Sequence, residues 1–204
     1  MGLFLSFEGI DGSGKSTQAR MLTEALQARG HAVTLTREPG GSAGAEEIRR
    51  LVLEGATDRW SAETEILLFT AARRDHLEKT IRPALARGDV VICDRFADST
   101  RIFQGITRGE LTETVDRLHD LMIGVEPDLT LLVDLDPAKG LSRATARQGS
   151  EMRFEDMGLA FQTRARDGFL ALAAGSARFA VVDGDQAAEA VAADILAVVV
   201  ARMT

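Results

Sequence analysis

Residues Gly9 to Ser16 read Gly-Ile-Asp-Gly-Ser-Gly-Lys-Ser. They match G-x-x-x-x-G-K-[ST] in full, and Thr17 follows. A short apolar run, Leu3–Phe7, precedes the loop, and a segment of helical spacing, Lys15 to Ala28, follows it. Strand, glycine loop and helix in that order make a cradle for phosphate. The glycines let the backbone wrap an anion with its N–H groups pointing inward. The helix adds the positive end of its dipole. Lys15 is expected to reach the β- and γ-phosphates, and Ser16 to offer its hydroxyl to Mg²⁺. A glycine turn that happens to contain Lys-Ser would not need this strand before it and this helix after it. The segment Gly9, Ile10, Asp11, Gly12, Ser13, Gly14, Lys15, Ser16 and Thr17 is therefore read as the site for ATP or GTP.

The rest of the chain repeats the alternation. Apolar runs at Leu3–Phe7, Ala32–Thr36, Val90–Cys93, Leu129–Val133 and Arg178–Val182 predict five strands. The first, third and fourth carry few polar residues, as central strands covered on both faces do. Between the runs, helices are expected over Lys15–Ala28, Ala45–Leu53, Ser61–Arg87, Thr112–Ile123, Pro137–Arg147, Leu159–Ala174 and Gln186–Arg202. Pro83 should kink or shorten the third of these. Strand–helix alternation implies a parallel sheet with helices on both faces, an α/β fold. Ligands in such folds lie beyond the carboxyl ends of the strands. No linker divides the chain, so residues 1–204 are read as one domain.

Charge and cysteine content set limits on partners. With 31 acids against 24 Lys+Arg the net charge is −7, which argues against a nucleic-acid backbone as partner. A few converging Arg can still bind a phosphorylated small molecule. Cys93 is the one cysteine, so no intrachain disulfide is possible. With no secretory leader read in the sequence, a cytoplasmic, reducing setting is expected. The longest apolar stretch, Ile195 to Ala201, is too short to span a bilayer, so no membrane is expected. Met1 to Ser6 fits the loose myristoylation pattern, but Leu3 to Phe7 reads as a buried strand. His31, His76 and His119 lack metal-ligand spacing and are read as solvated.

A phosphate loop alone leaves switches, motors and kinases open, and the other strand ends narrow the choice. The second ends in Thr36-Arg37-Glu38-Pro39-Gly40-Gly41, the third in Cys93-Asp94-Arg95-Phe96. An acid followed by Arg at a strand end sets a Mg²⁺-side carboxylate beside a guanidinium fork suited to an acceptor phosphate. The Asn-Lys-x-Asp run of guanine-reading switches does not occur.

In these residues, with Ser99, Phe103-Gln104-Gly105 and Pro127 to Leu131, the chain resembles bacterial thymidylate kinase. The match is ordered over nearly the whole length. It implies a P-loop NTPase fold with a five-stranded parallel sheet, a homodimer, and phosphoryl transfer from ATP to dTMP with Mg²⁺. By motif position, Arg95 would hold the dTMP phosphate and Asp94 would sit near the metal. Asp11 would accept a hydrogen bond from the 3′-hydroxyl. Phe69 would stack on the base and Arg73, rather than its neighbour Arg74, would bond a carbonyl oxygen. Glu38, Pro39, Ser99, Thr100, Phe103 and Gln104 match further positions around dTMP.

A short Arg-rich lid is expected at about 143–156, carrying Arg143, Arg147 and Arg153. Gly12 stands where some members of the family carry Arg. The resemblance then assigns the arginine that meets the transferred phosphoryl to the lid, with Arg153 or Arg147 as candidates. Such an arginine is worth on the order of 10³–10⁵ in rate in other systems. No general base is needed, because the accepting phosphate oxygen is already ionised. Asp183-Gly184-Asp185 is placed for adenine contacts. The sequence departs from the family at Phe103, where many members have Tyr, and at Arg101 and Ile102. With Phe103, exclusion of a 2′-hydroxyl would rest on bulk alone. Another nucleoside or nucleoside-monophosphate kinase, or an ATP-dependent regulatory switch, remain the alternative readings.

Overall fold

In the computed structural model, residues 2–146 and 157–203 are described. The five expected runs form strands β1 (Leu3–Glu8), β2 (Val33–Arg37), β3 (Val90–Asp94), β4 (Leu129–Asp134) and β5 (Phe179–Asp183). They make one parallel sheet in the order β2-β3-β1-β4-β5. The three runs poorest in polar residues occupy the three central places. Their side chains therefore meet helices on both faces, and no polar face has to be kept in water.

Alternation along β1 shows how the layers divide. Leu5 and Phe7 join Leu22 and Leu26 of α1 (Lys15–Gln27) and Val191, Ile195 and Val199 of α9 (Ala188–Met203). Phe4 points the other way, toward Leu77, Ile81, Val91 and Phe96. A third cluster, Ile10, Ile102, Phe103, Phe161 and Phe169, covers the loop end of that face beneath α8 (Leu159–Ala174). Ser6, buried in the same layers, is matched by Thr130 across the sheet at 2.9 Å.

The remaining helices are α2 (Ala43–Leu53), α3 (Ala62–His76), α4 (Arg82–Arg87), α5 (Ala97–Thr100), α6 (Thr112–Met122) and α7 (Pro137–Thr145). Ser61 caps α3, its hydroxyl accepting from the Thr64 amide at 3.2 Å. Glu63 and Glu65 in the first turn, and Arg73 and Arg74 in the last, complement the helix dipole. Pro83 does not end the run. A π-helical turn, Leu77–Ile81, widens the backbone ahead of it, and Pro83 falls in the first turn of α4. There its missing N–H and fixed φ do no harm.

One stretch had no element assigned from the sequence: Ala97 to Ile106 is helical throughout, as α5 and a π-helical turn over Arg101–Ile106. One expectation needs correction, since the histidines are not uniformly solvated. His31 is exposed, but His76 and His119 are buried. His76 lies between two polar partners, Glu38 at 3.0 Å and Thr36 at 2.7 Å, which replace water. His119 lies with its ring edge-on to Phe96 and Nε2 3.2 Å from Glu126.

Candidate active site

The carboxyl ends of β1, β2 and β3 are stitched together by backbone. Glu38 N donates to Asp94 O at 2.9 Å, and Arg95 N to Phe7 O at 2.9 Å. A cavity of about 310 Å³ opens above this seam. Most residues singled out from the sequence line it. They are Asp11, Gly12, Gly14 and Lys15 to Thr17 from the loop, and Arg37 at the end of β2 with Glu38 and Pro39 after it. Phe69 and Arg73 come from α3, and Asp94, Arg95, Ser99, Thr100, Phe103 and Gln104 from the β3 side. Gly9, Ile10 and Ser13 sit just behind. Lys15 Nζ donates to Ile10 O at 2.6 Å and lies 3.3 Å from Ser13 Oγ. Arg147 and Arg153 lie outside the described residues.

Lys15 is almost fully buried, at 6% exposure. Burial, and then the nearby Arg95 guanidinium, bring its pKa down to about 8. A cation so poorly solvated gains strongly from an anionic ligand. Next to it, the Ser16 hydroxyl donates to the Asp94 carboxylate. A hydroxyl and a carboxylate in contact are hard oxygen donors of the kind Mg²⁺ takes.

Arg95 has φ 71°, a left-handed backbone without glycine. Such a conformation is costly, and its surroundings hold it. Glu8, fully buried at the end of β1, accepts from Phe96 N at 2.8 Å, Ser99 N at 3.2 Å and Ser99 Oγ at 2.6 Å. The turn after β3 is thereby tied to the strand beside it. Arg95 Nη1 donates to Gly9 O and Ser99 Oγ, both at 3.0 Å, and Nη2 to Asp11 Oδ1 at 2.5 Å. Burial alone would raise the Asp11 pKa. Arg95 and Lys15 outweigh it and hold that carboxyl below its usual range. Gln162, from α8, donates to the other Asp11 oxygen at 3.0 Å.

Spacing explains the contribution of α3. Glu65, Phe69 and Arg73 recur every four residues and so share one helix face. Arg73 is buried. Its Nε donates to Glu38 Oε2 at 2.7 Å, and Nη2 donates to Phe96 O and Thr100 Oγ1, each at 3.1 Å. Its neighbour Arg74 is half-exposed on the other side and pairs with Glu78. Phe103 stacks on Phe161 with ring centres 5.7 Å apart, and the Arg95 guanidinium lies 5.0 Å over its ring. Arg101 and Ile102, the departures from the family pattern, turn away from the cavity. Arg101 pairs with Asp98, Asp116 and Glu126, and Ile102 is core.

Sequence reasoning missed several neighbours. Arg49 and Leu53 of α2 also line the cavity, and Arg49 Nη1 donates to Pro39 O at 2.6 Å. Glu8, Glu65 and Gln162 act from behind it. None carried a signal, because each finds its partner far along the chain. Gly184, read from the sequence as part of a segment placed for adenine contacts, lies beside the loop. A Cβ there would lie 3.3 Å from Ser13 O.

Arranged this way, the cavity can hold a polyphosphate at one end and, beside the guanidiniums of Arg95 and Arg73, a second anionic and partly apolar molecule. Comparison with known proteins points the same way. Residues 7–195 match the family model described as thymidylate kinase. A thymidylate kinase from Ruegeria pomeroyi is 70% identical over 203 residues, covering 99% of this chain and 96% of that protein. Another, from Dinoroseobacter shibae, is 62% identical over 96% of this chain and 95% of its own length. The crystal structure of thymidylate kinase from Ehrlichia chaffeensis superposes with a TM-score of 0.80 at 35% identity, covering 97% of this chain and 98% of that one.

Proposed function

The chain belongs to the thymidylate kinase family, and from that premise we propose how its residues carry the reaction. The protein is a nucleoside monophosphate kinase that transfers the γ-phosphoryl group of ATP to dTMP, giving dTDP and ADP. The alternatives, a kinase for a different acceptor or a nucleotide-dependent switch, are not favoured by relatives of this identity.

The observation that carries the residue assignment is the Arg95–Asp11 pair at 2.5 Å on the wall shared by the loop and the acceptor side. ATP lies along Gly9 to Thr17, with Lys15 at its terminal phosphates. Arg95 holds the dTMP phosphate, and Asp11 faces the 3′-hydroxyl. Phe69 stacks on thymine, while Arg73 donates to a carbonyl of the base. Glu38 keeps Arg73 in place. Pro39, Ser99, Thr100, Phe103 and Gln104 complete the acceptor wall. In this arrangement the accepting oxygen is brought against the γ-phosphorus, and the cations spread around it offset the developing charge. Ser16 and Asp94 would hold Mg²⁺. Mg²⁺ held there would supply positive charge that offsets part of the charge on the phosphates. By the resemblance, Arg153 or Arg147 would supply the last cation.

One kinase domain over 1–204 and a homodimer belong to the same proposal. Leu51 of α2, Leu67 of α3 and Leu121 and Met122 of α6 are large apolar side chains left exposed, Leu121 at 74%. That exposure on neighbouring helices is what a second copy would cover. A cytoplasmic setting suits Cys93, a buried free thiol. No helix among the described residues is long and apolar enough to cross a membrane. The reading is tested by incubating the protein with dTMP and ATP labelled in its γ-phosphate. Label is expected in dTDP. Label released only as inorganic phosphate would refute the transfer.

A further inference from the structure

Gln104 lines the acceptor cavity, but its amide is not free to turn. Gln104 Nε2 donates to Glu65 Oε2 at 2.9 Å. Glu65 is fully buried, and its other oxygen receives Arg108 Nη1. Arg108 Nη2 in turn donates to Trp60 O at 3.0 Å. An ionised carboxylate offers acceptors only, so the face of Gln104 turned toward it must be the NH₂. The amide oxygen, Oε1, is then the group left for the cavity. It takes no hydrogen bond among the described residues. On the same wall, Arg73 uses Nε and Nη2 on protein partners, leaving Nη1 as a donor. Thr100 links the two. It accepts from Arg73, and Gln104 follows it by four residues.

We infer that Glu65 is a positioning residue that sets base specificity. By fixing the Gln104 amide with its oxygen outward, it makes the wall read a ring N–H beside a carbonyl. Thymine offers that pair, N3–H next to O4. Cytosine offers the reverse, an unprotonated N3 beside an amine, and would meet an acceptor with a lone pair and a donor with a donor. A site built to hydrogen-bond one pattern leaves its own groups unpaired against the other, which is a strong basis for rejection. The inference rests on the acceptor reading above and adds to it a cause for the choice of base. Phe69 alone would stack on either pyrimidine.

In Glu65→Gln the partner of Gln104 becomes an amide that can donate as well as accept. Gln104 can then rotate and present its NH₂ to N3 of cytosine. The wild type and the variant are compared for kcat/KM with dTMP and with dCMP at saturating Mg-ATP. The preference for dTMP is expected to narrow about tenfold, the worth of one exchanged hydrogen bond. Gln104→Ala should narrow it too, and adding Glu65→Gln to Gln104→Ala should change it no further. A preference unchanged in Glu65→Gln would overturn the inference. So would an equal effect of Glu65→Gln in the Gln104→Ala background, which would mark Glu65 as merely structural. Should Glu65→Gln fail to fold because Arg108 loses its charge partner, Glu65→Gln with Arg108→Gln is measured in its place, with the same outcomes. Failure of the site reading looks different. In that case the wild type itself would show no preference for dTMP over dCMP.

Discussion

Gly12 offers the sharpest test of how the loop is held. Its φ is +76°, and a Cβ there would lie 1.9 Å from Gly140 O and 2.7 Å from Gly140 C. Both atoms are backbone in α7, so neither can swing aside. The contact is mutual, since a Cβ on Gly140 would lie 2.6 Å from Asp11 O. Two glycines thus let α7 seat directly against the phosphate loop. In Gly12→Ala, the left-handed backbone costs about 1–2 kcal/mol. Displacing α7 or the loop adds about 1–3 kcal/mol, the usual range for overpacking. For a chain of this size each kcal/mol lowers Tm by about 2–4 °C, so a fall of roughly 4–20 °C is expected. Gly88 is the control. It has φ +88° with nothing within 4 Å of a built Cβ, so Gly88→Ala carries the backbone penalty alone. Thermal unfolding of both variants, with ATP affinity by calorimetry, separates the two contributions. Gly12→Ala should fall further than Gly88→Ala and should lose ATP affinity. Equal Tm shifts, with ATP affinity intact, would refute the argument that α7 holds the loop.

Three further outcomes follow from the charges and rings of the site. Lys15, its pKa brought down to about 8, is half deprotonated near that pH, and bound phosphates favour its charged form. ATP binding at pH 8 should therefore take up protons, read as a buffer-dependent calorimetric enthalpy, and Lys15→Met should abolish the uptake. Glu8 is pushed up to about 7 by burial and by Asp98. Between about pH 4.5 and 7 the folded state then binds more protons than the unfolded one, so stability falls as pH rises through that window, by on the order of 3 kcal/mol in total. Glu8→Gln should flatten that slope in denaturant titrations, and an unchanged slope would remove Glu8 as its source. If Phe103, stacked on Phe161, is what excludes a 2′-hydroxyl by bulk, UMP should be a much poorer acceptor than dUMP; equal efficiency would contradict a steric role.

Much of the fold was legible because its signals are local. The loop from Gly9 to Ser16 brings strand, turn and helix together within a few residues. The three apolar runs with few polar residues told which strands would be central. The acceptor wall was legible mainly through resemblance, since nothing in the spacing of Phe69, Arg73 and Gln104 names a base. What stayed hidden was the layer behind the wall. Glu8 meets Ser99 from 91 residues away, Gln162 meets Asp11 from 151, and Glu65 meets Gln104 from 39. A buried carboxylate looks the same in sequence as a solvated one until the fold supplies its partner. His76 was misread for the same reason, as its partners Glu38 and Thr36 are remote in sequence. The helical stretch from Ala97 to Ile106 was missed because its first turn is only four residues long and the next is π-helical, so the ordinary helical period is absent.

The central claim is that the two ends of the cavity hold donor and acceptor for direct transfer. Steady-state ADP release from Mg-ATP, with dTMP and without it, tests this most directly. The account predicts release that depends on dTMP, with one dTDP formed per ADP. Release at the same rate without any acceptor would contradict it.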